Sequence, residues 1–465
     1  MNLQLFTKWY AKYVLLALCC VVLLVVPLLK GPWIGSEPFL FSRIAELQAW
    51  YDPLSFGGRF AAYEWGTPLV LGFAPGILVQ ILPFILGVLS FLLLHMILAH
   101  FRQDLVFVHI SLLLLTLSPS FIYTFSFMNG LCIATFLSLA AFYFFIQKKW
   151  KWLSIPIVMI LPLFNIMLTI VFLAVLFLYA FFWKKDKRKW FLILLLASSA
   201  AAGIYYGYIF YNTGLPQSLP LEEGARFAVF QRIFFDLGSP FGLGIFISLL
   251  AAFGIISTWE RKYENLFLFF ATSFLFLFSL FRPEGLIFLN ILFVLFAAKG
   301  LMRLAEIQWT NTQYQFFIIL VIISGLVFSS ISQMDRLTEA LPDEAMLHGL
   351  DFLAAQEPGV VFSDYSRGVW INYAGHKNVL DENYEFVPEA AERAEDSQEL
   401  FYSRDLQNTS ALFTKYHVNY VWIDEDMRQN IWTYDTEGLL FILEYTKSFN
   451  KIYDKDGVEI WKIEQ

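Results

Sequence analysis

The sequence predicts an α-helical polytopic membrane bundle of about eleven spans with a C-terminal extracytoplasmic α/β domain. Three observations carry that prediction. Of 465 residues, 58% are hydrophobic and 15% charged, against about 45–50% apolar and about 25% charged in soluble domains. Apolar runs of about 20 residues, enough helix to cross a ~30 Å hydrocarbon core, recur through the first two thirds of the chain. The net charge of −7 also divides unevenly: Asp335 to Gln465 holds 26 acids and 11 bases, the remainder 13 acids and 21 bases. An acidic, less apolar tail behind a slightly basic apolar part reads as a water-soluble domain hung from a bundle. This balance excludes an ordinary cytosolic enzyme, a disordered regulator, a disulfide-rich secreted mini-protein and a basic nucleic-acid footprint.

The run at 14–29 follows Lys8 and Lys12 and leads into Pro32-Trp33-Ile34 rather than a small-residue cleavage site. It therefore reads as an uncleaved first span. Further spans are expected near 76–100, 105–118, 128–147, 152–164, 166–183, 190–211, 240–258, 265–281, 286–299 and 314–331. With a cytoplasmic N-terminus, the inner loops collect Arg102, Lys148-Lys149-Trp150-Lys151, Lys184 to Lys189, Arg261-Lys262, and Lys299 with Arg303. The short connections at Ser118-Pro119-Ser120 and Asn165 carry no base. That is the positive-inside pattern, and Trp150, Trp152, Trp183, Trp190 and Trp259 stand at the same boundaries. An odd number of spans places the acidic tail on the outer face of the cell membrane.

Residues 1–333 thus form the membrane part, with long outer loops at 30–66 and 212–238, and 334–465 the soluble domain. Long loops in a compact protein are usually functional or disordered, and the Gly, Pro, aromatic and isolated charged residues of these two argue for order. In the tail, strands are expected at 359–364 and 417–424, and helices at 388–402 and 406–416. The segments 445–453 and 458–463 flank Asp454-Lys455-Asp456-Gly457, a hairpin signal. Cys19, Cys20 and Cys132 all fall in apolar runs, so no disulfide staples the tail. His95, His100 and His109 lack the spacing of a helical HExxH site and read as packed or interfacial residues.

The first outer loop is the most informative stretch. It contains Gly35-Ser36-Glu37-Pro38-Phe39-Leu40-Phe41-Ser42-Arg43, then Trp50-Tyr51-Asp52-Pro53, Gly57-Gly58-Arg59 and Tyr63-Glu64-Trp65-Gly66-Thr67-Pro68. Ser36-Glu37-Pro38 signals a helix start, with Ser36 as cap and Glu37 at the positive end of the dipole. A carboxylate at the membrane surface can accept a hydroxyl proton or hold a divalent cation, or it can simply cap a surface helix.

This loop resembles that of the GT-C class of polytopic membrane glycosyltransferases, which includes the oligosaccharyltransferase catalytic subunit. Their pattern is an acidic residue, an aromatic pair and an Arg in a short helix after the first span, then a Gly-rich turn and a Pro. Glu37 takes the position usually held by Asp, and Phe39 and Phe41 stand where Tyr and His are common. In the tail, Ser363-Asp364-Tyr365 with Gly368-Val369-Trp370, the segment 413–424, and the closing strand Val458-Glu459-Ile460-Trp461 are similar to the outer domain of archaeal and bacterial relatives.

The resemblance implies transfer of a sugar from a polyprenyl-phosphate carrier to an outer-face acceptor, with this lipid-linked donor and membrane lipids as partners. Glu37 is then the expected general base, with Arg43 or Asp52 organising the loop. Arg226, Arg232 and Arg282 are the candidates for the donor-phosphate clamp, because guanidinium matches phosphate oxygens bidentately. No cofactor is expected. The second outer loop, Ser118 to Gly130, lacks the carboxylates of the oligosaccharyltransferase metal pair, and a divalent Mg or Mn ion is the alternative. Asp364-Tyr365 has only Phe362-Ser363 before it, not the Trp-Trp of the asparagine-acceptor motif. Two other classes compete: an inactive scaffold or polymer-binding protein of the same fold, and a transporter. The transporter needs charged groups near mid-bilayer, which these spans nearly lack.

Overall fold

The computed structural model describes residues 10–464 apart from 102, 184, 217–230, 232, 264, 310 and 435. Helix α1 (Ala11–Leu29) leads into the first outer loop, which folds as α2 (Glu37–Leu47), a short ribbon of β1 (Tyr51–Asp52) and β2 (Arg59–Phe60), and α3 (Gly66–Leu71). The bundle continues with α4 (Pro75–His100), α5 (Leu105–Thr116), α6 (Pro119–Ser126), α7 (Gly130–Ile146), α8 (Ser154–Ile160), α9 (Ile166–Trp183) and α10 (Lys185–Thr213). It closes with α11 (Ile245–Thr258), α12 (Leu266–Phe281), α13 (Leu286–Glu306) and α14 (Thr312–Glu339).

Every expected apolar run coincides with a helix, and the chain is a multi-pass membrane protein by that measure. Among the described residues, five helices are long and apolar enough to cross a bilayer singly, or six when one bent pair is counted as a span. The bent pair is α5 and α6, which meet at 63°. The cause is local. Pro119 has no N–H to give and pushes the preceding residue out of helical geometry, and Ser118 accordingly sits at ψ 133°. The other apolar helices, such as α7 and α12, are shorter.

Two glycines let α11 and α13 touch backbone to backbone. A methyl group on Gly254 would lie 1.9 Å from the Phe296 carbonyl oxygen, and one on Gly300 would lie 2.3 Å from that of Leu250. Small residues at such crossings are how membrane helices gain contact without a hydrophobic driving force between them.

The tail adds α15 (Glu344–Ala354), β3 (Val360–Phe362), α16 (Gly368–Tyr373), β4 (Lys377–Asn378), α17 (Ala390–Tyr402), α18 (Leu406–Lys415) and β5 (Val418–Ile423). After these come α19 (Glu425–Ile431), α20 (Gly438–Tyr445), β6 (Phe449–Lys455) and β7 (Val458–Ile463). The five strands form one mixed sheet in the order β4-β3-β5-β7-β6. Strands β4, β3 and β5 run parallel, whereas β7 is antiparallel to both β5 and β6. The hairpin turn is the pair Asp456-Gly457, with φ of 52° and 82° as a type I′ turn requires. Trp422 and Ile460 lie at the centre of the domain's core.

The tail is docked on the first outer loop. Gly35 donates its N–H to the Leu341 carbonyl (2.8 Å) and accepts from Trp370 Nε1 (3.1 Å). Asn378 Oδ1 takes the Phe56 N–H (2.6 Å), and Asp381 takes the Ser55 hydroxyl (2.6 Å). The Phe56 ring is buried among Leu380, Val387, Ala390 and Ala394 of the tail. To reach them the chain turns left-handed at Phe56 and Gly57, and Gly58 follows at φ 128°. A side chain at Gly58 would run into the Tyr51 hydroxyl at 2.3 Å, so the Gly-rich turn is required sterically as well as conformationally.

Gly300→Val is expected to destabilise the detergent-solubilised chain by about 1–3 kcal/mol, seen as a lower Tm, because backbone atoms must move to admit the side chain. Gly203→Ala is the control: nothing lies within 4 Å of its added methyl, and Tm should hold.

Candidate active site

Glu37 opens α2, but not as the spacing leads one to expect. Ser36 is itself helical in φ and ψ and makes no capping bond. Its hydroxyl instead donates to Glu382 in the tail. The Glu37 carboxylate turns away from its own helix and accepts the Gly130 N–H (3.1 Å) at the first residue of α7. Asn129 caps that helix through the N–H groups of Leu131 and Cys132, leaving the Gly130 amide for Glu37. The partner of Glu37 is thus the positive end of α7 rather than of α2.

Glu64 reaches the same place from the far end of the loop. One of its oxygens accepts the Ile166 N–H (3.3 Å), the first amide of α9. A methyl placed on Gly130 would lie 3.5 Å from Glu37 Oε1 and 3.9 Å from Glu64 Oε2, so both carboxylates crowd one point over α7. Both face a cavity of about 900 Å³ enclosed by the first loop, α6, α9, α10, α14 and the tail segment around Glu382 to Phe386. Tyr123, Tyr206, Phe41 and Phe127 give it aromatic walls, and Glu382 and Glu385 add carboxylates from the tail side.

Among the described residues, Arg336 is the single base on that wall. It projects from the last turns of α14, bonds the carbonyls of Phe235 and Ser239 (both 3.3 Å), and stacks over the Phe235 ring at 4.4 Å. Its charge is held by carbonyls and an aromatic face rather than by a carboxylate, which leaves it available to an anion.

The charge states follow from burial. Withdrawal from bulk water raises Glu37 above the ordinary carboxylate range, opposed by the Gly130 amide. Glu64 is pushed to about 8 by burial, with the neighbouring charges of Glu37, Glu284 and Glu385 adding to the rise and the Ile166 amide opposing it. Glu382 opens to the cavity but is deep in the cleft. Burial takes it to about 7 against the Ser36 hydroxyl, with Asp381 and Glu37 adding to the rise.

Arg43 and Asp52 stand together, away from the cavity wall. The guanidinium meets the carboxylate through two bonds of 2.6 Å, and both groups are buried. Asp52 also accepts from the Leu54 and Ser55 amides (3.1 and 3.3 Å) and the Tyr63 hydroxyl (2.6 Å). Arg59 joins the network at Ser55 Oγ (2.8 Å) and Tyr63 Oη (2.9 Å). Burial works against the Asp52 charge, but the bonds from Arg43 outweigh it and hold the carboxyl at about 2.

Arg282 follows α12, is exposed, and does not line the cavity. Arg226 and Arg232 lie outside the described residues, although Pro216 and Pro240, which bracket them, both face the cavity. The residues that sequence reasoning missed are Glu64, Arg336, Glu382 and Glu385. Glu64 carried one usable signal, an acid set between the aromatic residues Tyr63 and Trp65 at the end of the loop. Arg336 carried none, because it stands among the tail's solvated charges. Among the described residues no three His, Cys, Asp or Glu side chains converge closely enough to hold a metal ion.

No protein-family model and no curated protein matches the sequence. Solved structures do match its fold. The oligosaccharyltransferase AglB of Archaeoglobus fulgidus, in complex with an inhibitory peptide and a dolichol-phosphate, aligns with a TM-score of 0.61 at 13% identity over 98% of this chain and 75% of its own. The same organism's enzyme with zinc and sulfate gives 0.62 at 12% identity over 97% and 73%. ArnT of Cupriavidus metallidurans, bound to undecaprenyl phosphate, aligns at 0.56 and 11% identity over 98% of both chains. These are GT-C glycosyltransferases, and the chain has their fold.

Asp52→Asn leaves Arg43 buried without its counter-charge and is expected to cost about 3–5 kcal/mol of stability. The sign with pH is fixed by the depressed carboxyl. Its contribution is complete above the ordinary value of 3.8 and is lost as pH falls through about 2. Acid-melting curves should show that slope in the natural chain and lose this component in the variant.

Proposed function

We propose that this protein is an integral membrane glycosyltransferase that moves a sugar from a polyprenyl-phosphate carrier to an acceptor hydroxyl on the outer face. In this reading 1–333 form the membrane part, crossing about eleven times from a cytoplasmic N-terminus, and 334–465 the extracytoplasmic domain. The observation that carries the proposal is that the Glu37 carboxylate and the Arg336 guanidinium face one cavity. That cavity belongs to a fold shared with enzymes that bind dolichol-phosphate and undecaprenyl phosphate.

Glu37 takes the proton of the acceptor hydroxyl as its oxygen attacks the anomeric carbon. The bond between that carbon and the phosphate oxygen breaks, and its electron pair leaves with the carrier phosphate. Arg336 balances the charge that grows on the leaving phosphate. A carboxylate raised by burial is a stronger base than one in water, which is what abstraction from a hydroxyl requires. Arg43 and Asp52 act by holding the loop, as their buried pair supports. Arg226 and Arg232 remain further phosphate contacts in this reading because their flanks face the cavity; Arg282 has no such support.

The test is sugar transfer in nanodiscs from a panel of undecaprenyl-phosphate-linked hexoses and pentoses. Glu37→Gln is expected to lower kcat by at least about 10²-fold, the scale of general-base catalysis. Arg336→Ala is expected to raise KM for the donor and make binding less sensitive to salt. Undiminished turnover of Glu37→Gln would overturn the assignment.

A further inference from the structure

The two glutamates at the cavity floor are matched oxygen by oxygen. Glu37 spends Oε2 on the Gly130 amide, and Glu64 spends Oε1 on the Ile166 amide. The oxygens left over, Glu37 Oε1 and Glu64 Oε2, are the two that converge within 4 Å of the same point over Gly130. Among the described residues no further amide reaches them. Two carboxylates in that arrangement repel when both are charged and attract when they hold one proton.

The surroundings decide which of the two keeps the proton. Glu284, from the turn between α12 and α13, and Glu385, from the tail, both act on Glu64 electrostatically. Tyr205 and Tyr206 approach from α10, and their hydroxyls are engaged with the Tyr63 and Pro162 carbonyls. Arg336 shares the cavity. On the tail side, Glu382 feels the charges of Asp381, Glu37 and Asp364. Negative neighbours gather around Glu64 from two elements, and burial brings it to about 8. Glu64 is therefore mostly protonated at neutral pH, and its free oxygen lies over Gly130 beside that of Glu37.

We propose that Glu37 and Glu64 work as one proton-sharing carboxylate pair, in which Glu64 is the positioning residue that aims the ionised Glu37 at the acceptor. The inference rests on Glu37 being the base of the proposed transfer. The pair enters the reaction with one proton and one negative charge. It leaves with two protons and none, the second having come from the acceptor hydroxyl, and release of one proton to water restores it. If Glu64 ionised as well, a second charge would face the anionic donor, so turnover should fall above about pH 8.

The full-length protein in nanodiscs tests this with two readouts. In transfer from the undecaprenyl-phosphate sugar panel, the natural chain should lose kcat above about pH 8. Glu64→Gln keeps a neutral hydrogen-bonding group and should lose no more than about tenfold at pH 7 while abolishing the alkaline decline. Glu64→Ala should lose well over tenfold in kcat with KM for the donor little changed. Independently of turnover, infrared spectroscopy should show a protonated carboxyl band at pH 7 that titrates near 8 and disappears in Glu64→Gln. An alkaline decline that survives in Glu64→Gln, or a band that the substitution leaves in place, overturns the pair. A band that behaves as expected beside a fully active Glu37→Gln overturns Glu37 as the base, and the same band in a chain that transfers no sugar from any donor overturns the sugar-transfer reading instead.

Discussion

The ion pair between Arg43 and Asp52 fixes the first outer loop, and the loop fixes the cavity. Arg43 lies on the helix that begins with Glu37, and Asp52 binds Tyr63, the residue before Glu64. One buried contact therefore ties together the two segments that deliver the two inner carboxylates. Burying charge costs free energy unless every lone pair finds a donor. Asp52 meets that condition with two guanidinium bonds, two backbone amides and a phenol. The same loop then passes outward through Ser55 and Phe56 into the tail. A solvent-facing domain and an apolar bundle are joined by a polar hinge whose own core is ionic.

Among the described residues the cavity combines four carboxylates with one guanidinium, a balance that at first sight repels an anionic ligand. Burial resolves part of that conflict. Glu64 and Glu382 are raised to about 8 and about 7, so Glu64 is mostly neutral at neutral pH and Glu382 divided between forms. Glu37 lies beside the α7 N-terminus, while Arg336 stands on the α14 side with its guanidinium held by carbonyls and a ring. Among the described residues, the cation and the raised carboxylates thus occupy separate sides of the cavity.

The bundle was legible because its signal is redundant: each span repeats the same apolar requirement, and one weak segment does not spoil the reading. The hairpin at Asp456-Gly457 was legible because few residues accept two successive positive φ values. The short tail elements α15, α16, α19 and α20 escaped, since their amphipathic patterns are brief and their stability comes from contacts. Glu37 was readable by its place in a motif. Glu64, Arg336 and Glu382 were not, because what distinguishes them is convergence from positions far apart in the chain. Even Ser36, at the right place for a cap, is claimed by Glu382 across the domain contact. Sequence spacing describes local hydrogen bonds and is silent about that competition.

Glutamate at position 37, where the resemblance leads one to expect aspartate, follows from the same geometry. A short carboxylate in the first turn of a helix folds back onto its own free amides. The longer side chain of Glu37 instead spans to Gly130, and the absence of a side chain at Gly130 leaves room for its carboxylate and for that of Glu64. The position of the Glu37 carboxylate is consequently set by the distance between α2 and α7, which belong to the loop after α1 and the bundle respectively. The fold persists across chains only 11–13% identical to this one. A change in loop packing can then be offset by one methylene without moving the site of chemistry.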